Sequence, residues 1–478
     1  MKNMTKKLLL VLLCVALILP CVACATSNET EETEATTQGE AATEAETSYQ
    51  PDIEVKNYDA DFNVITPGFE KDLIYLEEGE GDSLSDAIYE RGVKVKDHLG
   101  VSIVWQHAGD WITYKDSVLR TVQSGDDEYQ LVMTPVYQGL TDLIISNALY
   151  DYGALDAVNL DAPYWAKDLM EDVKIGDQYL LGYSDFCLSD VHLLVFNKGM
   201  VADNGMEAPY QLVRDHEWTI AKLMEMASKV SEDNGDQKWD NQDTYGIAGR
   251  GWTYLISFIT SSDMKIVDRD SEGLYKIAYE NNLEKLDDLI ETIFELYNAK
   301  YSYFWKSLDN TNPDANINFA DGRTMFQFFS SKALPELRDV TFKFGILPYP
   351  KYDAKQESYK TLSWNGMMVI PSTIKKTDMV GEVVELLAYY TGPVKTAYYE
   401  DLLGAKISEA PEDAEMLEMI WDSMVSDVGI ITCNCCTQMD KLVYMIPQMC
   451  EANKNTRASY LRTNVKRAQD KLDDVFKQ

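Results

Sequence analysis

Four histidines, eight cysteines and 79 carboxylates are the raw material for acid–base, metal or nucleophilic chemistry in this 478-residue chain. His98, His107, His192 and His216 never stand four apart, the spacing that puts two imidazoles on one helical face, so the pattern supports no histidine-based centre. The chain has no Gly-x-Ser-x-Gly elbow, phosphate-cradling Gly-x-x-x-x-Gly-Lys-Ser/Thr loop, strand-linked Gly-x-Gly-x-x-Gly or His-Glu-x-x-His helix. Paired carboxylates for glycoside hydrolysis stay open, because among so many acids any two can meet in the folded chain. The cluster Cys433, Cys435, Cys436, with Cys450 beyond it, lacks the C-x₂-C pairs of zinc ribbons and has no nearby histidine. It reads as one disulfide to Cys450 or as small buried thiols before it reads as a soft-metal site. Asp233, Asp236, Asp240 and Asp243 surround Gly235 but fail the order of a calcium loop and lack its closing Glu, which favours a solvated Asn-Gly turn. No metal and no cofactor is expected.

The 79 acids face only 43 Lys and Arg, a formal net charge of −36. An electrostatic nucleic-acid or anionic-membrane partner needs clustered bases, and no long basic run occurs. Apolar residues make up 45% of the chain, enough for more than one core. At the N-terminus Lys2, Lys6 and Lys7 precede the apolar run LLLVLLCVALILP, which is shorter than the ~20 residues that span a bilayer. Residues 1–23 are read as a secretory signal. Their end resembles a bacterial lipoprotein box, with Cys24 after Val22 and Ala23 as the lipid attachment point. Residues 24–50 carry seven Glu and no base, an acidic tether that would hold a globular body near the outer face of the membrane.

Beyond the tether, strand and helix patterns alternate. LIYLEE (73–78) reads as a strand and Ser83–Gly100 as a helix capped by Ser83 or Ser85. VSIVWQ (101–106), a helix ending at Gly125, and YQLVMTP (129–135) follow. HLLVFNK (192–198) starts a second unit, whose helices put Trp218, Leu223, Ala227 and Val230, then Leu283, Leu286, Ile290, Ile293 and Leu296, on apolar stripes. Trp105 and Trp218 are assigned to the core. This alternation is the signature of parallel sheets covered by helices, an α/β chain in two lobes.

Several segments together are similar to the extracellular solute-binding proteins of ABC importers, family 1, the maltose-binding type. LLVFNKGMVADNG, WTIAKLMEMASKVSEDNGDQKWDNQDTYGIAG, FADGRTMFQFFSSKALPELRD, FKFGILPYPKYDAKQESYKT and MMVIPSTIKKTDMVGEVVELLAYYTG resemble family segments in order and spacing. The resemblance implies a type II periplasmic-binding fold, two α/β lobes joined by hinge crossovers with a cleft between them. Lobe I would hold 51–186 and 364–410, and lobe II 187–363 and 411–478. Crossings would lie near Gly182–Leu188, near Leu362–Gly366 and before a helix starting near Glu412. Where many relatives carry Trp, this chain has Phe329-Ser330-Ser331.

The implied role is a non-enzymatic, lipid-anchored receptor that takes a small neutral solute, with a mono- or oligosaccharide the best fit, and hands it to ABC permease subunits. A pyranose offers an apolar face to an aromatic ring and hydroxyls to planar polar groups. Trp252, after a Tyr-Gly strand, and Trp364, at the second crossing, are the expected stacking platforms. Tyr137 follows a strand at its C-terminal end, where open α/β sheets bind ligands. Asn365, Arg250, Asp110 and Glu78 are the expected hydroxyl partners. The alternatives are a surface carbohydrate-active enzyme with two cleft carboxylates, or a sensor or adhesin without transport.

Overall fold

The computed structural model describes residues 49–67, 71–110, 112–136, 138–187, 190–305, 317–363, 366–407, 411–433 and 438–476. The expected signal, most of the tether and Cys24 lie outside the described residues, as do Tyr137, Trp364, Asn365, Cys435 and Cys436. Among the described residues no helix is long and apolar enough to cross a membrane.

Three parallel strands open the fold: β1 (Ala60–Thr66), β2 (Val101–His107) and β3 (Leu131–Pro135). β3 is buried along its whole length, as a strand covered on both faces requires, whereas β2 at the sheet edge buries only Val101 and Ile103. The helix Ser83–Leu99 returns the chain between β1 and β2. Asp82, not Ser83 or Ser85, is its N-cap, accepting from the Leu84 and Ser85 amides, and Gly100 ends it at φ 63°. The helix Tyr114–Ser124 makes the next return and stops at Gly125 in the left-handed region.

LIYLEE is not a strand. The first strand is ADFNVIT, and residues 71–74 form a helical turn. The reason is buried Arg91, whose guanidinium donates to the carbonyls of Leu73 (2.5 Å) and Ile74 (2.7 Å) and to Thr391 Oγ1 (3.2 Å). Those carbonyls therefore have no place in a ladder. Leu73 and Leu76 pack into a cluster shared with Phe329 and Leu334.

A second sheet follows, from β4 (His192–Asn197), β5 (Ser231–Glu232) and β6 (Thr244–Arg250). The small ribbon β7 (Val267–Arg269) and β8 (Tyr275–Ile277) stands apart. Then β9 (Ser302–Trp305), β10 (Thr324–Ser330) and β11 (Phe344–Leu347) complete the sheet in the order β11-β4-β10-β6-β5, with β9 also on β6. The Trp218 side chain is fully buried beneath it, donating from Nε1 to the Pro348 carbonyl at 3.0 Å. The helix Leu283–Asn298 buries Leu286, Leu289, Ile290, Ile293 and Leu296, whereas Leu283 at its first position is exposed.

The chain passes between the sheets through extended segments. β12 (Thr361–Leu362) leads into β13 (Gly366–Val369), which adds antiparallel to β3 and closes the first sheet as β13-β3-β1-β2. β14 (Met424–Val425) pairs with β12. Gly182 bridges Met368, and Val191 bridges Ser363. The molecule is thus a two-lobed α/β fold, one sheet per lobe. Residues 408–410, where the third passage is expected, lie outside the described residues.

Replacing Arg91 with Met removes all three donors and orphans two carbonyls. Arg91→Met should lose about 2 kcal/mol or more in urea unfolding, each buried orphan costing ~1–3 kcal/mol, and Arg91→Lys should restore part of it.

Candidate functional site

The parallel strands of the two sheets end toward each other. In the first, Gly366 pairs with Pro135, so the crossing enters beside the C-terminal ends of β1, β2 and β3. In the second, His192 at the start of β4 pairs with Ser330 at the end of β10, beside the end of β6. The gap between these ends is where an open α/β sheet takes a ligand.

The wall at the end of β6 is built by Arg250, Trp252 and Tyr254. Half-buried Trp252 lies parallel to Tyr444, with centroids 4.7 Å apart and planes 16° apart, so one ring face is already covered. Tyr444 leads the helix Met445–Glu451, which packs on the Gly251–Tyr254 turn and on Leu283–Asn298. The Tyr254 ring meets His192 edge-on at 5.0 Å, and burial pushes its phenol well above the usual tyrosine range. Arg250 is half-buried, and its charge acts on Tyr254 in opposition to that of Asp190.

Asp190 is the wall's carboxylate at the first crossing. Its Oδ1 accepts from Ser330 Oγ at 2.5 Å and Ser331 Oγ at 3.3 Å, and Ser331 Oγ also accepts from the Val191 amide at 3.1 Å. The Phe329-Ser330-Ser331 run thus supplies two hydroxyls that orient a carboxylate. Phe329 itself is buried.

On the other lobe, Asp110 is exposed and its Oδ1 accepts from the Ile112 amide (3.0 Å), the Thr113 amide (2.8 Å) and Thr113 Oγ1 (2.8 Å). The Thr113 hydroxyl and these amides hold its carboxyl below the usual carboxylate range. One oxygen of Asp110 is therefore committed to shaping the turn before the helix Tyr114–Ser124. Glu78 is exposed in the loop before Asp82. Trp105, expected in the core, is only half-buried, at the end of edge strand β2 beside His107 (6.0 Å). Asp190, Tyr254 and Tyr444 are absent from the sequence expectations, and Trp105 is expected there only as core. Position at a strand end was the available signal for Trp105 and Asp190; none pointed to Tyr444, which arrives from nearly two hundred residues away.

His192 is buried, with Nδ1 2.7 Å from Ser257 Oγ. Burial pushes its imidazole down to about 4, so it is neutral near pH 7 and serves as packing and hydrogen-bonding surface rather than as an acid. The acidic loop gathers three carboxylates in a tight turn. Asp233, Asp236 and Asp243 have carboxylate oxygens within 4.8 Å of one another. Asp243 accepts from the Asn234 and Asp240 amides, Asp233 from Gly235 and Gln237, and Asp236 from Lys238. These bonds define a folded turn. Cys433 and Cys450 are buried and form no disulfide with one another, and burial pushes the Cys450 thiol up to about 12.

Residues 94–405 match the family described as bacterial extracellular solute-binding protein. The chain belongs to that family. No curated protein matches it by sequence. Among solved structures, the fold is similar to a sugar transporter protein of Rhizobium etli in an open conformation, with a TM-score of 0.56 at 15% identity, over 87% of this chain and 99% of that one. It is similar also to the GacH receptor of Streptomyces glaucescens, solved unliganded and with acarbose, with a TM-score of 0.55 at 13% identity, over 88% of this chain and 99% of the receptor. A third is the maltose/maltodextrin-binding domain MalE of Bdellovibrio bacteriovorus bound to maltotriose, with a TM-score of 0.52 at 12% identity, over 87% and 100% of the two chains. The two-lobed α/β fold is common to them and to this family member.

The neutral state of His192 sets a pH dependence. Folding disfavours its imidazolium, so unfolding takes up a proton between pH 6.5 and about 4, and stability falls as the solution is acidified through that window. Urea midpoints measured from pH 7 to 4 should fall less for His192→Gln than for the unaltered protein. The difference should reach about 3 kcal/mol at the acid end, at ~1.4 kcal/mol per pKa unit.

Proposed function

We propose that this solute-binding protein captures a mono- or oligosaccharide between its lobes and presents it to the permease of an ABC importer. It would be exported by residues 1–23 and held by a lipid on Cys24 and the acidic tether, outside the cytoplasmic membrane. Lobe I is taken as 51–186 and 364–410, and lobe II as 187–363 and 411–478.

The observation that carries this reading is the Trp252–Tyr444 pair at the end of β6, a rigid aromatic surface beside Arg250 and the serine-held Asp190. A pyranose face suits the ring, and hydroxyls suit a guanidinium and a carboxylate whose orientation is already fixed. Asp110, Glu78 and Tyr137 would meet the sugar from lobe I, with Trp364 and Asn365 at the crossing. The sugars in the acarbose-bound GacH receptor and maltotriose-bound MalE domain favour this class. The net negative charge disfavours an anionic cargo.

A panel of neutral mono- and oligosaccharides should contain one that raises the melting temperature, free ligand at a hundred times Kd adding about 2.7 kcal/mol of stability. Trp252→Ala should raise the calorimetric Kd for that sugar by about tenfold, ~1.4 kcal/mol, with the fold retained. No heat and no shift with any sugar would overturn the reading. Cleavage of the sugar would favour the enzyme alternative.

A further inference from the structure

A second concavity lies at the passages between the lobes, with a volume of about 340 Å³. Its walls come from Pro163–Leu169, from the first crossing at Tyr183–Cys187, from the helix Gly392–Ile407, and from Trp421–Met424. Neither Trp252 nor any of Thr66, His107, Arg250, Trp305 and Ser330, which end strands of the two sheets, lines it. It is a separate site.

Its chemistry is specific. Tyr399 and Trp421 face one another at 4.5 Å between centroids and 46° between planes. Trp165 forms the opposite apolar wall, its Nε1 spent on Glu385 Oε2 at 2.8 Å, and Tyr164 donates to Glu385 Oε1 at 2.5 Å. With their polar tips tied to one buried carboxylate, these side chains offer the pocket only ring surface. Lys395 Nζ and Asp185 Oδ1 meet at 2.9 Å on the rim, an ammonium and a carboxylate side by side. Asp168 and Asp422 are exposed at the pocket's edge.

We propose that this hinge pocket is a second ligand site, for a single neutral pyranose lying against Tyr399 and Trp421, its vicinal hydroxyls bridging Lys395 and Asp185. Aromatic surface with a donor and an acceptor a hydroxyl pair apart is the arrangement a sugar ring satisfies. The excess of carboxylates repels an anion, and the two lysines on the rim (Lys167 and Lys395) oppose an organic cation. The volume holds one ring or two, not a long oligosaccharide. The site goes beyond the cleft reading and does not depend on it. Because both lobes and the crossings supply its walls, its shape follows their rotation.

The test titrates D-glucose, D-galactose, D-mannose and D-xylose separately into the full chain by calorimetry and by ligand-observed NMR. The unaltered protein should bind at least one of them. Tyr399→Ala and Lys395→Met should each raise that Kd tenfold or more while leaving the melting temperature within a few degrees, and Trp252→Ala should leave it unchanged. If Tyr399→Ala proves unstable, Lys395→Met alone decides, since its position is half-exposed. Absence of binding by all four sugars overturns the proposal. So does binding that survives both hinge-pocket variants, and loss with Trp252→Ala alone assigns the sugar to the cleft.

Discussion

The two lobes are joined by a few main-chain hydrogen bonds between segments that pass from one to the other. Gly182 and Met368 exchange amide bonds at 2.8 and 2.9 Å, the Thr361 amide donates to Ser423 O at 2.9 Å, and the Ser363 amide donates to Val425 O at 3.1 Å. These pairs are short and isolated, unlike the long ladders within each lobe, so they fix where the lobes join while leaving the angle between them soft. Gly182 is required there, because a Cβ would sit 2.6 Å from the Tyr152 ring. The proposed cleft between the lobes and the pocket beside the crossings both follow from this single arrangement.

Much of the fold was legible because helical stripes and β-branched runs are local signals. The helix at Ser83–Leu99, the strand Val101–His107 and the helix Leu283–Asn298 stand where periodicity puts them. The first strand was missed, and LIYLEE was misread, because Arg91 claims its carbonyls from seventeen residues away. The order of β4, β10 and β6 in the second sheet is a non-local fact that no window of sequence contains.

The candidate site was legible only in part, for the same reason. Trp252 and Arg250 follow a recognisable strand, so they were found. Tyr444 covers one face of Trp252 but belongs to the C-terminal helices, and Asp190 owes its orientation to Ser330 at the end of β10 and Ser331 just beyond it. Asp110 was read as a hydroxyl partner, whereas one of its oxygens serves the turn beside it. Residue type marks candidates; only the register between distant strands says which of them face the same space.

The strand β13 has a consequence for how the protein is made. The first sheet is not closed by a neighbour in sequence but by Gly366–Val369, which emerges after nearly the whole second lobe. Until then Leu131–Pro135, fully buried in the finished molecule, presents an open apolar edge. A chain of this design cannot complete its first lobe before its second, so the folding of the two is coupled as the protein is made.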